Sequence, residues 1–184
     1  MAEYNMLDDI KDVLYSTEQL DEMVKRMGKQ ITEDYKGKKL LLVSILKGSV
    51  IITADLMREI KIPAEIDFMA VSSYGGDTKS SGRVRIIKDL DKDIEGYDIL
   101  LIEDILDSGR TLSYLINLLQ SRNPASIKIC TMFDKPERRE IKDITADYVG
   151  GTVPDEFIVG YGLDYNQKYR NLPFVGILKE SVYS

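Results

Sequence analysis

The sequence predicts an α/β protein: a central, mostly parallel sheet flanked by helices, with a small hood subdomain. Three observations carry this. Leu40–Leu46 is an apolar run broken only by Ser44, and it leads through the polar turn Lys47-Gly48-Ser49 into a helical segment over 50–60. A second apolar run, 98–103, ends in two adjacent carboxylates, passes a small Gly-containing turn and enters another periodic apolar segment. Strand, polar turn and helix thus recur, and strands that are apolar without alternation belong to parallel sheets covered on both faces. Segments toward the C-terminus that lack helical periodicity supply the hood.

The elements follow in order. Ser16 is placed to cap a helix, with Gln19 three residues on as its capping-box partner. Leu20, Met23, Val24, Met27 and Ile31 then keep helical spacing, and Gly37 offers a stop. Pro63 closes the 50–60 helix. Over 65–72, Ile66, Phe68 and Ala70 alternate onto one face, as in a strand. Residues 73–82 are rich in Gly, Ser and Thr, and two readings stand side by side: a plain hairpin loop, or a lid closing over a reactive intermediate. A strand resumes over 83–88. After the acidic strand, Leu112, Leu115, Ile116 and Leu119 form a helical stripe that ends near Asn123-Pro124. Residues 127–133 form another apolar strand, followed by a charged loop over 134–139. Tyr148-Val149, 157–160 and 174–178 are short strands, separated by a turn at Pro154-Asp155-Glu156.

Composition narrows the chemistry. The chain has 184 residues, enough for one domain with a full core. Its formal net charge is -6, which disfavours non-specific nucleic-acid binding. There is no His, so His-based acid–base catalysis, Ser-His-Asp triads and His-ligated metals are excluded. A metal here must be held by oxygen, which points to magnesium-like chemistry. The single Cys130 rules out an internal disulfide and sits in an apolar strand pattern, as core filler in a reducing cytosol. No apolar run reaches membrane-spanning length, and the acidic start is unlike a signal peptide.

The chemistry concentrates in 100–111. An apolar strand ends at Glu103-Asp104, then come two apolar residues, Asp107, and the turn Ser108-Gly109-Arg110-Thr111 opening a helix. Turns of this kind lie at the carboxyl end of the sheet, and small residues at a helix start leave N–H groups for an anion. Carboxylates beside an anion cradle imply a cation as well, hence a phosphorylated, metal-bound substrate. Lys47-Gly48 is a second possible anion site, or simply a solvated Lys beside a turn glycine. A nucleoside triphosphatase would need G-x-x-x-x-G-K-[ST], which the chain lacks, and G-x-G-x-x-G is missing too.

Residues 100–111 resemble the phosphoribosyl-diphosphate (PRPP) signature of the type I phosphoribosyltransferase family: apolar strand, two acids, two apolar residues, Asp, small, Gly, variable, Thr. Lys47-Gly48, the Ser72-Ser73-Tyr74 loop, Asp134-Lys135-Pro136 and the segment from Phe157 through Asp164 to Arg170 are similar to the hypoxanthine-guanine branch. The resemblance implies that family's fold over 1–184, with the hood formed by N-terminal and C-terminal segments. It implies transfer of phosphoribosyl from PRPP to hypoxanthine or guanine, giving IMP or GMP and pyrophosphate, with magnesium. A PRPP-sensing regulator on the same fold is the alternative. The family forms homodimers and homotetramers.

Residue by residue, the resemblance implies that Asp107, Ser108, Gly109, Arg110 and Thr111 hold the 5′-phosphate. Glu103 and Asp104 meet the ribose hydroxyls and hydrated magnesium, and Asp107 is the candidate general base at the purine N7. Lys135 donates to the 6-oxo group, which an ammonium can do and adenine's amino group would oppose. Phe157 stacks on the purine, and the Ile158 backbone reads its edge. Asp164, grouped with the purine-binding residues, binds a second magnesium on the pyrophosphate side. Arg170 and Lys47-Gly48 meet pyrophosphate, and in this family the Lys47–Gly48 peptide is often cis. Ser73 and Tyr74 belong to the lid, which protects an oxocarbenium-like species from water.

Overall fold

The structure, a computed structural model, describes residues 5–73 and 84–184. Its first strand, β1 (Ile10–Tyr15), pairs with β9 (Val175–Leu178), which pairs in turn with β8 (Ile158–Val159); all pairings in this small sheet are antiparallel. The central sheet is built from β2 (Leu40–Leu46), β3 (Ala64–Ser73), β4 (Val84–Lys88), β5 (Asp98–Leu106), β6 (Ser126–Asp134) and β7 (Tyr148–Thr152). Its order is β4-β3-β2-β5-β6-β7, and only the β3–β4 pairing is antiparallel. Helices α1 (Thr17–Asp34), α2 (Val50–Glu59) and α3 (Arg110–Gln120) pack on it, and a short α4 (Glu180–Tyr183) ends the chain. This is the mixed, mostly parallel sheet flanked by helices that the apolar runs predict.

α1 begins where its capping box requires. The Ser16 hydroxyl accepts from the Gln19 N–H, and the Gln19 side chain accepts from the Ser16 N–H at 2.8 Å. Such a cap contributes about 1 kcal/mol. Leu20, Val24, Met27 and Ile31 are buried against Leu40, Leu42, Leu100 and Ile102 on one sheet face, together with Ile52 and Leu56 of α2. On the other face Leu112, Leu115 and Leu119 of α3 pack against Leu41, Val43, Ile99 and Leu101. β2 alternates between these two cores, so both of its faces need apolar side chains. Cys130 is buried beside Met27 as core filler, and burial pushes its thiol up to about 12.

Four expectations need correction. β1 lies within a stretch that carries no strand reading, because its exposed Lys11, Asp12 and Val13 conceal the alternation. β5 does not stop at Glu103; it runs on through Leu106, paired with β6, so both acids stand on the strand itself. In β3 the better buried face is Asp67 and Met69, not Ile66, Phe68 and Ala70. Ile66 faces the α1–α2 side, where α1 and α2 cover β2 and β5 but leave it exposed. Asp67 tolerates burial because it accepts from the N–H groups of Phe68 and Asp91 and from the Lys88 ammonium. Finally, the cis peptide is Leu46–Lys47, one bond before Lys47–Gly48. Neither bond precedes a proline, so the sequence holds no signal for the choice.

Among the described residues no helix is long and apolar enough to cross a membrane.

Candidate active site

The carboxyl ends of β2, β5 and β6 open toward the small sheet, and the predicted site residues gather in that opening. β5 delivers Glu103 and Asp104, both half-buried. Desolvation, reinforced by the charges of Asp104 and Asp107, pushes the Glu103 carboxyl well above the usual range. Desolvation also raises Asp104 to about 6, partly offset by the N–H of Ile105 and by the Arg170 guanidinium. Among the described residues neither acid forms an ion pair, and Arg170 offsets only part of the cost at Asp104; a substrate-borne cation would supply the rest.

After β5 the chain turns at 107–109. The Asp107 carboxylate accepts from the Ser108 N–H. Gly109 is the N-cap of α3 at φ +81. A side chain there would be strained, and Gly109 itself supplies no cap; only the Ser108 hydroxyl, accepting from the Arg110 N–H at a long 3.4 Å, engages the first turn among the described residues. The turn therefore presents backbone N–H groups and the Ser108 and Thr111 hydroxyls to an anion. The Arg110 guanidinium is turned away to pair with Glu140 at 2.5 Å, so its offer to an anion is made by its backbone.

A second group forms around the turn after β2. A Cβ on Gly48 would stand 1.6 Å from an Asp104 carboxylate oxygen, and one on Gly162 would stand 2.1 Å from the Gly48 carbonyl. Glycines at both positions let the Gly48 backbone approach the Asp104 carboxylate and the Gly162 backbone approach that of Gly48. Arg170 donates to the Gly162 carbonyl at 2.6 Å and pairs with Asp164 at 2.8 Å. Gln167 joins the same network, accepting from Lys47 at 3.1 Å and donating its N–H to Asp164 at 2.8 Å. Lys47, Gly48, Asp104, Asp164 and Arg170 are thus neighbours, although up to 123 positions separate them in the sequence of 184 residues.

A cleft of about 270 Å³ adjoins the Asp107 turn, lined by Ile105, Asp107, Lys135, Arg138, Phe157 and Tyr183 among others. Lys135 is 11 % exposed; its ammonium donates to the Glu156 carbonyl at 2.7 Å and lies 3.5 Å from Asp155. Phe157 precedes β8, its ring stacked on Tyr183 at 4.9 Å with Tyr165 edge-on at 5.4 Å. The Ile158 side chain is buried in the core, leaving its backbone, on the outer strand of the small sheet, for any contact with a ligand. Ser73 ends β3, paired with Val84, and Tyr74 lies outside the described residues. A roomier cleft of about 490 Å³ between α1 and α2 is lined by Glu18, Asp21, Asp55 and Glu59, which suits an anionic substrate poorly.

Sequence reasoning did not single out Ile105, Tyr183 or Arg139. Tyr183 reaches the cleft only because α4 folds back from the end of the chain. Arg139, within the charged loop over 134–139, is only 10% exposed and pairs with Asp134, while Arg138 pairs with Asp155.

The phosphoribosyl transferase domain model matches residues 12–166. The chain is 56% identical over 176 residues to the hypoxanthine-guanine phosphoribosyltransferase of Streptococcus thermophilus, covering 96% of this chain and 97% of that one. It is 57% identical over 176 residues to the enzyme of the same name from Streptococcus mutans, with the same coverage of 96% and 97%. Among solved structures, a hypoxanthine phosphoribosyltransferase from Staphylococcus aureus superposes with a TM-score of 0.94 at 52% identity, covering 100% of both chains. A hypoxanthine-guanine phosphoribosyltransferase from Bacillus anthracis superposes with a TM-score of 0.86 at 47% identity, covering 92% of this chain and 99% of that one. The family model and these matches over nearly the whole chain agree with the strand, acids and turn of β5 and α3: the chain belongs to the phosphoribosyltransferase family, in its hypoxanthine-guanine branch.

Proposed function

We infer that the chain transfers 5-phosphoribosyl from PRPP to hypoxanthine or guanine, giving IMP or GMP and pyrophosphate in purine salvage. The observation that carries this is the juxtaposition at Asp107, which belongs both to the anion-presenting turn and to the cleft of Lys135 and Phe157. A phosphate held by the turn places its ribose between Glu103-Asp104 and a base lying in that cleft.

Each residue then has a task. Ser108, Gly109, Arg110 and Thr111 bind the 5′-phosphate, mainly through N–H and hydroxyl groups. Glu103 and Asp104 orient the ribose hydroxyls. Lys47, Gly48 and Arg170 receive the departing pyrophosphate, whose growing charge the guanidinium meets in a fixed geometry. In the cleft, the Lys135 ammonium donates to a 6-oxo group and Phe157 offers a ring face, while the Ile158 backbone reads the base edge. Asp107 accepts the purine N7 proton as the base becomes the nucleophile; it need act only as the transition state forms. Ser73 and Tyr74 complete the lid.

Magnesium fits the donor set. Among the described residues no three acidic side chains converge into a closed cage. Glu103-Asp104 on one side and Asp164 on the other offer the one or two carboxylates that magnesium takes when substrate phosphates and water fill its other positions. Bound there, the ion would supply charge neutralisation for the departing pyrophosphate. The reading places the reaction in the cytosol.

One domain spanning both sheets, and a homodimer or homotetramer of it, complete the proposal. Val50 and Met57 on α2 and Ile66 on β3 are exposed on one side of the sheet, apolar surface that a second copy would cover. Sedimentation checks the assembly. The activity test is one assay: purified protein, PRPP, magnesium and each of five bases, with pyrophosphate measured. Absence of turnover with both hypoxanthine and guanine would overturn the reading.

A further inference from the structure

We propose that Arg139 is a positioning residue that sets the Asp107 turn for phosphate binding, by tying down the backbone carbonyls at the end of β5. Its guanidinium is buried, with the side chain only 10% exposed. Nε donates to the Asp107 carbonyl at 2.8 Å, Nη1 to the Ile144 carbonyl at 2.6 Å, and Nη2 to the Leu106 carbonyl at 3.2 Å and to the Asp134 carboxylate. Three of these four acceptors are backbone, and two of them are the carbonyls on which β5 gives way to the turn. The next carbonyl, Ser108, accepts from the N–H groups of Glu140 and Ile141, both at 3.0 Å. The Arg139 stem packs under the turn as well, 3.4 Å from where a Gly109 Cβ would stand.

The physical consequence follows from peptide geometry. In a trans peptide the C=O and the next N–H point in opposite directions, so a held carbonyl aims the following N–H. Arg139 holds the Asp107–Ser108 plane, and the neighbouring backbone holds the Ser108–Gly109 plane. Together they turn the amides of 108 and 109 away from segment 139–141. Carbonyl oxygens crowd the carboxyl ends of parallel strands, where their partial negative charge opposes an incoming phosphate. A guanidinium lying across two of them offsets that charge as well as fixing their direction. Only Arg presents planar donors enough for four acceptors; a Lys ammonium has three donors on one atom. Because Asp134 precedes Lys135, the same guanidinium also links the phosphate turn to the strand end that carries the base-contacting Lys.

The inference rests on the assignment of 108–111 to the 5′-phosphate, and the experiment separates the two. Binding of IMP and, separately, of magnesium pyrophosphate is measured by calorimetry for three variants, with melting temperatures recorded. The double variant Ser108→Ala with Thr111→Ala tests the phosphate assignment and is expected to weaken IMP at least fivefold. Arg139→Lys tests the clamp: IMP weakens at least tenfold, while pyrophosphate, bound at the other turn, changes by less than twofold. Asp134→Asn loosens the same guanidinium without removing it, shifts IMP in the same direction by a smaller factor, and decides the matter should Arg139→Lys not fold. IMP affinity within twofold of the parent for the deciding variant, or equal weakening of IMP and pyrophosphate, overturns the clamp. Unchanged IMP affinity in the double variant overturns the phosphate assignment itself, and the clamp with it.

Discussion

The two halves of the site are built in opposite ways. In the proposed reading the donor half, β5 and the turn into α3, is one continuous run that holds the two acids, Asp107 and the turn within residues 103–111. The proposed acceptor half is assembled from Lys135 after β6, Phe157 before β8 and Tyr183 in α4, and the proposed pyrophosphate side from Lys47, Asp164 and Arg170. A local motif can be placed by its own backbone, since a strand end and a helix start determine each side chain's direction. A dispersed cleft depends on the docking of the small sheet onto the large one. Substitutions in the donor half should therefore act on chemistry and on the phosphate, and those in the acceptor half on the choice of base.

The largest effect tests the hinge between the halves. Asp107→Asn keeps the acceptor for the Ser108 N–H but removes the proton acceptor, so kcat should fall about 10³-fold with little change in the Kd for PRPP. Equal losses in both would mean that Asp107 chiefly binds substrate. Next, Lys135→Met removes the donor to the 6-oxo group; kcat/KM for hypoxanthine should fall about 10²-fold, with a smaller loss for adenine. A uniform loss over all bases would break the division of labour, because it would show the acceptor half serving the donor.

Asp104 links the halves electrostatically, and its burial has a sign. Its carboxyl rises from an ordinary 3.8 to about 6 in the fold. Well below 3.8 it is protonated folded or unfolded and costs nothing. Between about pH 4 and 6 the unfolded chain ionises it while the folded protein keeps the desolvated acid protonated, so stability falls across that window and the loss is complete above it. Asp104→Asn should therefore stabilise the ligand-free protein by about 1–3 kcal/mol at pH 8 and by almost nothing at about pH 3, as urea titrations would report. A gain that persists at about pH 3 would point to packing instead of charge.

A smaller effect probes the contact between the pyrophosphate turn and β5. Gly48→Ala places a methyl where the Asp104 carboxylate stands, and KM for PRPP should rise about tenfold. The smallest lies outside both halves. Ser16→Ala removes the α1 capping box at a loss of about 1 kcal/mol, seen as a modest drop in melting temperature with kcat unaltered.

Legibility in the sequence followed the same divide. α1 with its cap, the doubly buried β2 and the stripe of α3 could all be read because each expresses its burial in local periodicity. β1 could not, since its outward residues Lys11, Asp12 and Val13 mask a strand that exists only by pairing with β9, some 160 positions on. The β3 face was read with the wrong parity for a related reason. Which side of an outer strand is covered depends on where the helices lie, and Asp67 could be buried only once Lys88 and the amides of Phe68 and Asp91 had gathered round it.

By itself, then, the sequence determined the parallel α/β core and the donor turn at 103–111, because apolar runs, a Gly-containing turn and helical spacing are properties of neighbouring residues. Only the tertiary structure decided which strands the chain ends would pair, that the acids stand on β5 and not beyond it, which peptide is cis, and that Arg139 of the charged loop lies against the turn. The reason is physical: backbone conformation responds to residues a few positions away, whereas burial, pairing and the partner of a charge are settled by whatever the rest of the chain brings alongside.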